Sequence, residues 1–218
     1  FILLAASAML TACDFLDEYN PNSVTVGNYY TSEEDIVASL NGVYTSLTQS
    51  YVADNYHYFT DVRANATVVT NSGANSGIPY QFYNYTLTEE NVYVYNRYSQ
   101  LYKIISRANT LFAHLGDVSY ATPSARDTYE AEARFLRALS YYWLVTEWGD
   151  VPLVLKVLES TEEVRANNYR RPKAEIYQAI FDDLKYVTES PLLDVQPASA
   201  CGKVSKAAAW ALWGKALL

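Results

Sequence analysis

The sequence contains few of the residues that carry metal and redox chemistry. Its 218 residues include only two cysteines and two histidines. Two cysteines do not make a disulfide framework, and His57 and His114 lack the spacing of metal ligands. Cys201 has no histidine or acidic cluster beside it, so we expect a small buried or half-buried residue there. The sequence therefore predicts neither a metal site nor a cofactor.

Sequence motifs of catalysis are also absent. The chain has no G-x-S-x-G elbow and no glycine-rich phosphate loop. Glu130, Glu132 and Glu147 offer carboxylates of the kind that hydrolyse sugars in pairs. They lie, however, in an apolar stretch that also contains arginine, so we interpret them as ion-paired structural groups. The sequence favours a protein that is not an enzyme.

Positive charge is scarce as well. With 16 lysines and arginines against 24 acidic residues, the net charge is −8. Nucleic-acid binding depends on clustered basic residues that neutralise phosphates, so we expect no nucleic-acid partner. Half of the residues are apolar and 18% are charged, which is typical of a globular chain.

Tyrosine, in contrast, is abundant. The chain contains 21 tyrosines, whose flat apolar ring and hydroxyl suit half-wet surfaces. Many lie in or beside residues 50–91, which lack a helical period and are rich in Asn, Ser, Gly and Thr. This pattern predicts a long loop region. Apolar and polar residues alternate at 81–87, which predicts a short strand there. Partial burial explains any single tyrosine, but an excess of this size favours a binding surface.

Helical periodicity predicts the remaining elements. The central helix is apolar around most of its circumference, so other elements must pack on several of its sides. Pro123 begins it, and Gly149 and Pro152 end it. The first helix has two possible capping pairs, Thr31 with Glu34 or Ser32 with Asp35. The predicted helices are 31–49, 91–115, 123–148, 172–189 and 206–218.

The N-terminal residues suggest export and lipidation. Residues 1–12 are apolar and too short to span a membrane, which is typical of part of a signal peptide. L-T-A-C at 10–13 resembles a bacterial lipobox, which predicts that Cys13 is lipidated and begins the mature chain. Residues 13–30 would then form the lipidated N-terminus and a tether. The alternative is a buried first helix with an incidental cysteine.

Several motifs together resemble one family. E-A-R-F-L-R-A at 132–138, Y-Y-W-L-V at 141–145 and W-G-D-V-P-L at 148–153 are similar to the central motif of the SusD/RagB family, nutrient-capturing lipoproteins of Bacteroidetes. Y-x-x-I-x-x-A-N at 102–109 and G-K-V-S-K-A-A-A at 202–209 resemble further blocks in the same order. The resemblance covers most of the chain after Cys13.

This resemblance implies a mainly α fold of tetratricopeptide-like helical repeats with a long tyrosine-rich loop region. Residues 31–218 would be the helical N-terminal domain, with the C-terminal part of the family fold missing. The spacing of the helices that start near Pro172 and Ser205 is close to the tetratricopeptide period of about 34 residues.

The resemblance also implies a function. Such a protein is an outer-membrane, lipid-anchored, surface-exposed lipoprotein that captures glycans and delivers them to a SusC-like TonB-dependent barrel. A peptide-binding member of the family, or a helical-repeat scaffold without a small ligand, remains open as an alternative.

The tyrosine-rich region supplies the candidate ligand contacts. Sugars lay their apolar C–H faces on aromatic rings, while their hydroxyls bond to polar side chains. The candidate residues for an oligosaccharide are Asn75, Tyr80, Tyr83, Tyr85, Tyr95 and Arg97.

Overall fold

Helices make up the regular secondary structure of the part of the chain that the structure, a computed structural model, describes: residues 29–69 and 77–218. Within these ranges there is no β-strand, and Val151 and Arg171 form an isolated antiparallel bridge. The elements are α1 (Glu33–Leu47), a π-helical turn (Tyr58–Val62), α2 (Gly77–Tyr83), α3 (Val92–His114), α4 (Ala125–Trp148), α5 (Thr161–Asn167), α6 (Lys173–Glu189), a 3-10 turn (Ala198–Ala200) and α7 (Lys206–Ala216). The prediction of a mainly α fold is confirmed.

One local prediction is wrong, and one helix was not predicted. The strand expected at 81–87 is instead the end of α2 followed by a turn, because the buried Asn91 side chain bonds to the Ile78 carbonyl and the Gln81 amide and fixes a helical turn. The segment between α4 and α6 contains α5, which is absent from the helices that the sequence predicted. Its signal was present: the Ser160 hydroxyl accepts a hydrogen bond from the Glu163 N–H and caps the helix.

The ends of the other helices follow their capping residues. Of the two possible pairs at α1, the structure selects Ser32 with Asp35, which form a reciprocal capping box. Hydrogen bonding, first to the Thr31 backbone N–H, lowers the pKa of the Asp35 carboxyl. At the far end of the chain, the Ser205 hydroxyl accepts from the Ala208 N–H and caps α7 as expected. α4 begins at Ala125, slightly later than predicted.

α4 lies at the centre of the fold. It packs against α3 and α6 most extensively, and it also contacts α1 and α7. Its buried side chains point in several directions, as the distribution of apolar residues predicted. The fully buried side chains of α4 include Ala131, Ala133, Leu136, Ala138, Ser140, Tyr141 and Leu144.

A buried ionic network joins α4 to α6. The Arg137 guanidinium donates to both oxygens of Asp183, at 2.7 and 2.8 Å. Arg134 donates to the same carboxylate at 2.8 Å and to Glu130 at 2.8 Å. The Arg137 guanidinium also lies 4.7 Å from the centre of the Phe112 ring. The interpretation of Glu130 as an ion-paired structural group is confirmed.

The extended segment 152–156 is held by side chains of α3 and α4. Asn109 donates to the carbonyls of residues 154 and 156, and Tyr102 donates to the carbonyl of Pro152. Arg137 donates to the carbonyl of residue 155, and the Tyr141 hydroxyl exchanges two bonds with the backbone of residue 154. Side chains of the helices thus form the backbone hydrogen bonds that a neighbouring strand would otherwise supply to this segment.

A second polar contact joins α1, α4 and the turn before α7. The Tyr44 hydroxyl donates to Glu132 at 2.6 Å and accepts from the Val204 N–H at 3.0 Å. Lys203 lies 3.3 Å from the same carboxylate, so Glu132 is ion-paired as expected. Burial, and then the Glu132 charge, raise the pKa of Tyr44. Cys201, on the same turn, is exposed, which corrects the prediction of a buried or half-buried residue.

Asp183 provides a test of the buried network. Replacing it with asparagine should lower the free energy of unfolding by about 3–5 kcal/mol, because Arg134 and Arg137 would lose the charge that neutralises them inside the fold. Urea denaturation measures this change. The matched control is Glu175→Gln, which removes the exposed pair with Arg171 at 3.5 Å and should cost less than about 1 kcal/mol. Equal costs at the two sites would contradict the role of the network.

Gly149 provides a test of the stop signal of α4. Its backbone φ of 77° lies in a region that residues other than glycine rarely adopt. Gly149→Ala should therefore destabilise the protein by about 1–3 kcal/mol in a thermal melt. Gly42→Ala lies inside α1, where the added Cβ would meet open space, and should instead stabilise by about 0.5–1 kcal/mol. A stabilising Gly149→Ala would show that the turn does not constrain the chain.

Candidate functional site

Two of the predicted ligand residues form a pair on α2. The rings of Tyr80 and Tyr83 lie 5.6 Å apart, tilted by 34°, and both side chains are half-buried. Asn91 holds this helix against the start of α3. Its side-chain NH₂ group donates hydrogen bonds to α2, while its side-chain carbonyl oxygen caps α3. The pair is therefore presented by a short helix that is fixed at its base.

Tyr85 follows in the turn after α2. Its ring is 60% exposed, its φ is 58°, and its hydroxyl donates to the carbonyl of Arg63 at 2.7 Å. A tyrosine in the left-handed region is uncommon and is maintained by the surrounding contacts. The exposed ring is thus held between two loop segments.

Tyr95, on the first turn of α3, lies at a separate hollow of about 180 Å³. Its side chain is 68% exposed. Tyr98 and Trp148 pack edge to face in the wall of this hollow, with ring centres 5.3 Å apart. Asp150 and the exposed Arg170 supply charged groups there, and Asp150 is fixed because it accepts from the Lys173 N–H at 3.0 Å.

Sequence reasoning missed these additional residues of the hollow. The signal for two of them was the W-G-D motif, in which Trp148 ends α4 and Asp150 follows the glycine turn. Arg170 comes from the segment after α5, and neither periodicity nor a motif indicated that it would lie beside α3.

Arg97 lies in the core, which corrects its expected place on the ligand surface. It is 0% exposed, and its guanidinium forms a bidentate pair with Glu147, with both distances 2.6 Å. It also donates to the carbonyls of Tyr51 and Val52, at 3.1 and 3.3 Å. Burial raises the pKa of the Glu147 carboxyl, while its hydrogen bonds to Arg97 oppose that rise. Glu147 is ion-paired, as the sequence analysis expected.

Three aromatic rings surround the Arg97 guanidinium, and we refer to them as the Arg97 cage. The ring centres of Tyr56, Phe59 and Trp143 lie 4.9, 4.8 and 5.5 Å from its central carbon. Such contacts stabilise a cation by its attraction to the ring faces. At least one of the many tyrosines, Tyr56, is thus explained by internal packing around a buried charge.

The aromatic packing continues from the cage to α2. Phe82 is fully buried, 4.9 Å from the ring of Phe59 and 5.7 Å from that of Tyr58. Tyr93 in turn lies 5.3 Å from Tyr58 and 5.2 Å from Tyr51. These contacts order residues 51–62 and 77–83, which lie within the region for which the sequence predicted a long loop.

Another hollow, of about 320 Å³, lies between α3 and the segment that leads to α5. Its apolar lining includes Val154, Leu158 and Val164. Of its polar groups, Tyr102 and Asn109 are already used in holding segment 152–156, and Lys156 donates to Glu163. Burial, with Tyr98 beside it, raises the pKa of Tyr102, so the hydroxyl remains a donor to that segment. This hollow offers fewer free polar groups to a sugar than the one at Tyr95.

The predicted residues Asn75 and Cys13 lie outside the described residues. Within residues 29–69 and 77–218, no cluster of His, Cys, Asp or Glu is arranged to hold a metal ion. Over the same ranges, no helix combines the length and apolarity needed to cross a membrane.

Comparison with known proteins assigns the family. The model of the SusD-like family described as "Starch-binding associating with outer membrane" matches residues 14–218. SusD-like protein P2 of Formosa agariphila is 28% identical over 96% of this chain, and a SusD-like protein of Bacteroides ovatus is 26% identical over 87%. The chain spans 41% and 34% of the lengths of these two relatives.

Solved structures show the same fold. A laminarin-binding SusD-like protein is 28% identical, with a TM-score of 0.73 over 86% of this chain and 40% of its own. Surface glycan-binding protein A from Bacteroides thetaiotaomicron, solved with laminarihexaose, is 21% identical, with a TM-score of 0.70 over 85% of this chain and 38% of its own. On the fold and the family match together, the chain belongs to the SusD-like family.

Proposed function

We propose that the protein is a cell-surface lipoprotein that binds glycans. The observation that carries this proposal is the set of exposed or half-exposed tyrosines Tyr80, Tyr83, Tyr85 and Tyr95, which lie on α2, on the turn after it and on α3, in a chain of this family. The laminarin-binding and laminarihexaose-bound neighbours support a glycan as the ligand class.

The geometry of the tyrosines suits a sugar chain. The Tyr80 and Tyr83 rings supply apolar surface on which the C–H face of a sugar can lie. At the Tyr95 hollow, Asp150 can accept hydrogen bonds from sugar hydroxyls and Arg170 can donate them. The volume of about 180 Å³ is below the range of roughly 300–1,000 Å³ for pockets that enclose a whole ligand. The hollow would therefore take one unit of a longer chain.

Anchoring and delivery complete the proposal. The lipobox at 10–13 and the family description, which names the outer membrane, support a lipid anchor at Cys13. A SusC-like TonB-dependent barrel would then receive the captured oligosaccharide. Burial of acyl chains contributes about 0.8 kcal/mol per CH₂ group, so several chains on one cysteine would keep the protein at the membrane.

Aromatic truncation tests ligand binding. A glycan panel first identifies a ligand of the full-length protein. Tyr83→Ala and Tyr95→Ala should each weaken binding of that ligand by about 1–3 kcal/mol, because each change removes a stacking platform. Isothermal titration calorimetry measures the affinity. Trp210→Ala is the control, since this ring is 58% exposed on α7, which packs mainly against α6.

The same panel distinguishes the alternatives. Binding of peptides in place of glycans would identify a peptide-capturing member of the family. Binding of neither ligand class would favour an interaction scaffold. If a glycan binds and neither tyrosine change weakens it beyond the Trp210→Ala control, the site lies elsewhere in the protein.

Cell fractionation tests the anchor. When the complete gene is expressed in a Bacteroidetes host, Cys13→Ser should move the protein out of the outer-membrane fraction, because the acylated side chain is lost. Cys201→Ser is the matched control and should leave the distribution unchanged, since that residue lies on an exposed turn. Full retention of the Cys13→Ser variant in the membrane would show that the anchor lies elsewhere.

A further inference from the structure

We propose that Arg97 and Glu147 are positioning residues for the tyrosine surface: the buried pair fixes α2, and with it Tyr80 and Tyr83, without contacting the ligand. This inference rests on the proposed glycan-binding function. It gives Arg97 a different role from the direct ligand contact that the sequence suggested.

The pair first fixes the segment that follows α1. Arg97 belongs to α3 and Glu147 to α4, and these two helices pack closely against each other. The guanidinium reaches out of this helical pair and donates to the carbonyls of Tyr51 and Val52. Because arginine presents several donors in one plane, a single side chain can hold the carboxylate and the loop backbone together.

The Arg97 cage then fixes the continuation of that segment. Tyr56 and Phe59 lie within 5 Å of the guanidinium carbon, at 4.9 and 4.8 Å. Phe59 belongs to the π-helical turn Tyr58–Val62, which follows directly along the chain. Two backbone hydrogen bonds and two ring contacts therefore hold the start and the middle of one irregular segment against a single buried charge.

Phe82 transmits this arrangement to α2. It is fully buried and packs against the rings of Phe59 and Tyr58, at 4.9 and 5.7 Å. In the sequence Phe82 lies between Tyr80 and Tyr83, so the contact that buries Phe82 also sets the rotation of α2. Rotation of a helix by one residue changes side-chain direction by about 100°, because a turn has about 3.6 residues. Loss of the cage would consequently move both tyrosines.

The chain contains an internal control for a purely stabilising role. Arg134 is likewise a helix arginine paired with carboxylates, Glu130 and Asp183, and likewise lies over aromatic rings, Phe112 and Tyr186. All four partners belong to α3, α4 and α6. None of them belongs to segment 51–62 or to α2. Arg97 and Arg134 thus share their kinds of contact, but they differ in burial, with side chains 0% and 26% exposed, and in what they hold.

The experiment compares Arg97→Lys with Arg134→Lys in the full-length protein. Lysine keeps the charge but cannot form a bidentate pair and also bond two carbonyls. We expect Arg97→Lys to weaken glycan binding at least tenfold at a temperature where both variants are folded. Hydrogen exchange should rise in residues 51–62 and 77–83. Arg134→Lys should also lower the melting temperature, but it should leave affinity and exchange in those residues unchanged.

A double-variant measurement separates positioning from general loosening. Tyr83→Ala should weaken binding about tenfold in the parent and less than threefold when Arg97→Lys is already present, because the ring is then displaced. Glu147→Gln provides a second variant of the same pair in case Arg97→Lys does not fold, measured at low temperature because it leaves the buried Arg97 charge uncompensated. It should give the same pattern of local exchange, since it removes the charge and leaves the side-chain shape.

Each outcome decides the inference. If Arg97→Lys and Arg134→Lys change affinity equally, or if exchange in 77–83 does not respond to Arg97→Lys or Glu147→Gln, the pair does not position the surface. Absence of binding by the parent protein to any glycan contradicts the proposed function. In that case the exchange comparison still determines whether Arg97 fixes α2.

Discussion

Each charged side chain that is buried beside α4 needs an oppositely charged partner next to it. This requirement determines where the elements around α4 can lie. Glu147 near the end of α4 neutralises Arg97 of α3. In the middle of α4, Arg137 is neutralised by Asp183 of α6. On a third side, Glu132 meets Lys203 of the turn before α7. Because an uncompensated charge inside a protein costs several kcal/mol, these pairs leave few other arrangements for the helices around α4.

Tyrosine has a second role beside its proposed ligand contacts. Its hydroxyl often donates to a backbone carbonyl outside a helix, as it does from Tyr85 to Arg63, from Tyr102 to Pro152 and from Tyr120 to Leu115. Irregular segments lack the regular bonds of helices and sheets, so their carbonyls need other donors. Tyr102 and Tyr120 satisfy them while their rings pack against the core, whereas Tyr85 does so with an exposed ring. The abundance of tyrosine therefore reflects the irregular backbone as well as a surface for a ligand.

The sequence predicted the long helices well, because their periodicity and their ends are local properties. Ser32, Ser205 and Gly149 occupy the caps that their chemistry suggested. The region 50–91 was less predictable because its order comes from distant contacts. Arg97 illustrates this limit, because an arginine among tyrosines has the composition of a sugar-binding site. It is a core residue because Glu147, 50 positions away on another helix, pairs with it. The same limit applies to Arg170, which reaches the Tyr95 hollow from a distant segment.

The manner in which segment 152–156 is held has a consequence for variation in length. Its carbonyls are bound by side chains of the helical bundle, and the Val151–Arg171 bridge closes the base of the excursion that includes α5. Both ends of the excursion are thus attached independently of the residues between them. Lengthening a closed loop costs little, about 0.6 kcal/mol for each doubling. Changes of length around α5 should therefore leave the helices on either side in their places, which makes this excursion a part of the domain that can diverge in length.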